Sequence, residues 1–129
     1  MIVIFLIARL IVGIFYLYNS YHHFHDYRMM SGYAGSKGIK APTLAILDSG
    51  VLLLIGGLSI LTGFLPYIGV ISLVVFFLPV SFRMHNFWAI ENPIEKRNQR
   101  IHFMKNMALM GSALMFLSIP TPWPFSLGG

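Results

Sequence analysis

The sequence predicts an all-α, polytopic membrane protein, an antiparallel bundle of four transmembrane helices forming one domain over residues 1–129. Three observations carry that prediction. Four apolar stretches, at about residues 2–24, 43–64, 66–84 and 101–119, each approach the roughly 20 residues that cross a bilayer as a helix. The composition is 57% hydrophobic and only 10% charged, with a mean hydropathy of +0.74, values that no soluble domain of this size requires. The connecting segments are too short for a second domain, and hydrocarbon offers backbone polar groups no water, so they must be satisfied inside helices.

The first segment, Ile2 to about Phe24, has no basic stretch before it and no small-residue cleavage site after it, so it is expected to be retained as a helix. Arg9, Gly13, Tyr16, Ser20, His23 and Tyr27 recur along it at alternating steps of four and three and share one face, which does not suit lipid. The next stretch, Ser31 to Pro42 (SGYAGSKGIKAP), is rich in Gly, Ser and Lys and reads as a flexible loop, with Pro42 placed to open the second helix. That second segment carries Asp48 near its start. Its small residues Ser49, Gly56 and Gly63, with Gly50 and Gly57 on an adjacent line, allow a neighbour to approach backbone to backbone.

Leu65-Pro66 permits a tight hairpin into the third segment, which Pro79 should kink by removing a backbone hydrogen bond. Trp88 to Arg100 (WAIENPIEKRNQR) is strongly polar. Asn92-Pro93 divides it into a turn and a charged approach to the fourth helix, which offers Gly111, Ser112 and Ala113 for close packing. The stretch Pro120 to Phe125 cannot be helical, and Trp123 suits an interfacial anchor.

The formal net charge of +5 is a matter of position. Arg28, Lys37 and Lys40 lie between the first two segments; Arg83, Lys96, Arg97, Arg100 and Lys105 flank the junction of the last two. With four spans both basic loops fall on one side, which the positive-inside rule makes cytoplasmic, and both termini point outward. The expected location is the cell membrane, as a multi-pass protein. The basic balance then speaks for anionic lipid rather than nucleic acid. The chain has no cysteine, which excludes disulfide-to-quinone electron transfer through its own thiols.

Two groups of residues are candidates for function. Arg9 and Asp48 are ionisable at membrane depth, which costs about 2.5–3.5 kcal/mol each on insertion scales and makes them an expected intramembrane charged pair. Their backbones differ in depth by roughly 10 Å at about 1.5 Å per residue, a gap that arginine's reach, helix tilt or a bridging water or Tyr16 would have to close. Such a pair either holds the first two helices together or serves a proton- or electron-coupled step.

The second group is a histidine layer on the cytoplasmic side, where His22, His23 and His25 meet His85 with Asn86, and His102 with Asn106. Three readings are open. The rings are ordinary interfacial histidines; they converge on a metal or haem, for which neither cysteine nor a well-spaced carboxylate is at hand, so no metal ligand is assigned; or they line a quinone or lipid-headgroup site. For that last reading the residues are His23, His85, Trp88, Lys105 and Asn106, beside the aromatics Phe76, Phe77, Phe82, Phe87 and Phe103.

The order of these pieces resembles a known family. Arg9-x3-Gly13, a Gly-Tyr-x5-Gly-Ile loop ending in Pro42, Asp48 followed by Gly50, Gly56 and Gly57, His85-x2-Trp88, and Phe103-x-Lys105-Asn106-Met107-Ala108-Leu109-Met110-Gly111 look like the DoxX family of small membrane proteins. Asp48 stands where family members more often carry Glu. The resemblance implies a four-helix integral-membrane protein akin to small subunits of quinol oxidase and thiosulfate:quinone oxidoreductase. It implies an accessory subunit that binds quinone or lipid and assists a membrane-associated redox system; the cofactor stays open, with quinone ahead of haem or metal. The partners expected are membrane lipid and a redox protein, with a homo-oligomer left open. The alternative is a non-catalytic scaffold or an assembly or chaperone-like factor.

Overall fold

The computed structural model describes residues 1–127, and these form five α-helices rather than four. They are α1 (Ile2–His25), α2 (Tyr27–Ser36), α3 (Pro42–Thr62), α4 (Pro66–Met84) and α5 (Pro93–Met115); Phe87–Ala89 and Phe116–Ser118 are single 3-10 turns. Three stretches, Ile2–His25, Pro42–Thr62 and Pro66–Ala89, are long and apolar enough to cross a membrane. The first half of α5 carries too much charge to qualify with them.

Two boundaries depart from expectation. The stretch expected as a flexible loop from Ser31 is helical as far as Ser36, because Ser31 and Ala34 are buried where α2 packs on α3, and tertiary packing outweighs the glycine content. The chain turns only afterwards, at Gly38, whose φ of 84° favours glycine. The last helix begins at Pro93, well before residue 101. The Asn92 side chain accepts from the backbone N–H groups of Ile94 and Glu95, and Pro93 fills the first turn, so Asn-Pro is a helix start rather than a plain turn. In α4, Pro79 lies within a continuous helix.

Neighbours run antiparallel in an arc: α1 on α3, α3 on α4, α4 on α5, with α2 lying across α3. Small residues set the first contact, since a Cβ on Gly57 would stand 3.0 Å from the Leu17 side chain and 3.1 Å from its backbone nitrogen. The core is Tyr16, Leu53, Ile60, Val70, Leu73, Phe76, Phe77 and Ala113, while Ile4, Ile7, Ile11 and Ile14 of α1 face outward as lipid contact would require. The arc is closed at one end by the C-terminal segment, whose Leu127 N–H donates to the Thr62 carbonyl at 2.9 Å. Trp123 is part of that closure. Only 2% exposed, it is wedged edge-on to Phe5 and tilted against Phe116, so it is an internal plug and not the interfacial anchor expected from its position among prolines.

Candidate functional site

At the plugged end, Arg9 has no carboxylate beside it among the described residues. Its Nε donates to the Ile60 carbonyl at 3.1 Å, Nη2 to Leu61 at 3.1 Å and to Phe125 at 3.3 Å, and Nη1 to the carbonyl of Pro124. The guanidinium also stacks near the rings of Phe5 and Trp123, at 5.5 and 5.4 Å from their centroids. Arg9 therefore caps the C-terminal carbonyls of α3, where the helix dipole favours a cation, and ties the tail to them.

The expected pair with Asp48 is not formed. Asp48 is exposed, and it lines a groove of about 440 Å³ between α3 and α4 together with Arg83. The depth difference is not closed because Arg9's donors are taken up by carbonyls at its own level. Among the described residues the one contact with salt-bridge geometry is His22 Nδ1 to Asp26 Oδ2 at 2.6 Å, four residues apart.

The opposite end is where polar groups converge. A cavity of about 260 Å³ lies between α1 and α5, helices that the arc leaves without close packing on one another. His23, His85, Lys105 and Asn106 all line it, with an apolar floor that includes Tyr16, Leu53, Phe76 and Phe77. Asn106 and His23 are buried; Lys105 is exposed and stands at the rim. Four of the five residues expected at a headgroup site are thus brought together. Trp88 is not among them. Half exposed, it packs with Phe82, Phe87 and Phe103 on the outer surface. It belongs to the turn Phe87–Ala89, which swings it away from the cavity.

Each cavity histidine is held by one nitrogen. His23 Nδ1 lies 2.8 Å from the backbone carbonyl of Asn19, and its ring meets Phe76 edge-on. His85 Nδ1 lies 2.7 Å from Gln99 Oε1. Gln99 in turn donates from Nε2 to Glu95 Oε1 at 3.0 Å and makes a longer 3.4 Å contact to the Tyr33 hydroxyl. Burial first, and then the Glu95 carboxylate, raise the Tyr33 phenol above its ordinary range, so it stays neutral there. His102 stacks on the His85 ring at 5.1 Å, and Lys37 donates to Asn86 at 3.0 Å, which ties the chain after α2 to the end of α4. Among the described residues no three of His, Asp and Glu gather closely enough to hold a metal ion.

Gln99 and Asn19 escaped the sequence reading, which followed charges and histidines. A signal was present for Gln99. Glu95, Gln99, His102 and Asn106 recur at steps of four, three and four, a polar stripe along α5 visible once its start is placed at Pro93 rather than at residue 101. Asn19 had no such signal, because its contribution to the cavity is a backbone carbonyl.

In comparison with known proteins, the family model described as DoxX matches residues 4–86. No curated protein and no solved structure matches the chain.

Proposed function

We propose, from the premise that this chain belongs to the DoxX family of membrane proteins, that it takes a quinone-type ring or a similar lipid headgroup into the cavity between α1 and α5 and presents it to a redox partner. The observation that carries this reading is the make-up of that cavity. Aromatic and aliphatic walls surround four convergent polar side chains, the combination that fixes the orientation of a ring with oxygen substituents. Small-molecule sites usually enclose about 300–1,000 Å³, so a cavity of about 260 Å³ suits one ring, with an isoprenoid or acyl tail leaving through the gap between the two helices.

In this reading α5 is the fourth span, its apolar half beginning near Ile101, and the histidine end lies at the cytoplasmic surface with both termini outside, an orientation supported by the positively charged junctions. The exposed aromatics Phe82 and Trp88 fit the headgroup level at that surface. The protein acts as an accessory membrane subunit of a quinone-linked system. The test is the purified protein's own cargo: organic extraction followed by mass spectrometry should recover quinone approaching one per chain from wild type, and several-fold less from Asn106→Leu. Recovery no higher than in detergent blanks, for both proteins, would refute the reading.

The scaffold alternative draws on Arg9, whose contacts all hold helices and tail together. It predicts no bound ring and a loss of partner assembly when Arg9 is changed.

A further inference from the structure

Both cavity histidines have their proton committed elsewhere. The Asn19 carbonyl that meets His23 Nδ1 is an acceptor only, so in the neutral ring that nitrogen must carry the hydrogen. The same follows for His85 by one further step. The Glu95 carboxylate is also an acceptor, so the Gln99 amide turns its NH2 toward Glu95 and its oxygen toward His85, which again requires the hydrogen on Nδ1. Each neutral imidazole then has Nε2 as a bare lone pair, and neither Nε2 has a hydrogen-bond partner among the described residues. The cavity therefore offers two acceptors from α1 and α4, beside the donors Lys105 and Asn106 from α5.

A hydroxyl both donates and accepts, whereas a ring carbonyl only accepts. We propose that the cavity binds the reduced, dihydroxy form of its ring ligand in preference to the dicarbonyl form, with His23 and His85 Nε2 receiving the two O–H groups. This rests on the headgroup reading above and adds the redox state it selects. A carbonyl ring in the same place would leave both imidazole lone pairs facing oxygen lone pairs, a buried mismatch that discriminates strongly. Gln99 and Glu95 are positioning residues: they act on the ligand only through the tautomer of His85.

The test compares decyl-benzoquinone with its hydroquinone, kept reduced anaerobically, on the purified full-length protein. At about pH 8 an imidazole with the usual pKa of about 6.5 is neutral. The hydroquinone should bind about tenfold more tightly, which equals a rise of about 30 mV in the midpoint potential of the bound couple for two electrons. Gln99→Leu frees the His85 ring to carry its hydrogen on Nε2, so the preference should shrink several-fold while affinity for the oxidised ring holds or rises. Equal affinity for both forms, or tighter binding of the oxidised one, overturns the selectivity and leaves the headgroup reading standing. Binding of neither form removes both. The wild-type comparison decides the matter even where the variant fails to fold.

Discussion

The guanidinium of Arg9 reaches four carbonyl oxygens, two on the last turn of α3 and two on the tail, while Asp48 faces a groove that it shares with Arg83. Because the two residues share no partner, their substitutions should add. Arg9→Lys keeps the charge but not the planar fork, and loss of at least one or two charge-assisted hydrogen bonds should cost about 3 kcal/mol of stability in detergent. Asp48→Asn should stay within about 0.5 kcal/mol, and the double variant should equal the sum of the two; a large coupling energy would restore the ion pair. The intramembrane position of Arg9 was legible in the sequence because a charge inside an apolar run is conspicuous. Its partners were not, since backbone carbonyls leave no trace in residue type, and an acid elsewhere in the chain drew the expectation toward a pair. The histidines behave differently: His23, His85, Lys105 and Asn106 were legible together because each lies near one end of an apolar stretch, and antiparallel packing of those stretches brings them to one level.

The helices were legible wherever apolar length alone decides, as it does for α1, α3 and α4. They were misjudged where a polar stretch is helical through packing or capping, in α2 and the first turns of α5. Glycines show the same division between composition and context. Gly57 lies against Leu17 with no room for a methyl group, and the obstacle includes backbone that cannot rotate aside; Gly57→Ala should cost about 1–3 kcal/mol. Gly111 on α5 has nothing within 4 Å of an added Cβ, so Gly111→Ala should raise stability by about 0.5–1 kcal/mol through helix propensity. Thermal unfolding of the two variants in the same detergent checks both signs. A similar loss for each would mean that α5 is closely packed on the exposed flank that carries Gly111.

Across the whole molecule, the sealed end carries Arg9, Trp123 and the tail, and the open end carries the histidines, the cavity and most of the basic residues. A bilayer supplies the direction of that polarity. Cysteines placed singally in place of Ser36 and Leu127, both exposed, should show Leu127→Cys labelled by an impermeant maleimide on intact cells and Ser36→Cys protected until the membrane is opened. The reverse pattern would invert the orientation and put the cavity on the outer side. The proposed function uses that polarity: the bundle is closed at one end and parted between α1 and α5 at the other, where a ring headgroup is proposed to reach the buried polar groups. Photolabelling with an azido-quinone in lipid nanodiscs, followed by peptide mapping, tests this most directly. The predicted result is label on cavity residues of α1 and α5, around Asn19 and Leu109, suppressed by excess unlabelled quinone and lost in Asn106→Leu. Label that is not suppressed, or that gathers on the Asp48 and Arg83 groove between α3 and α4, would contradict it.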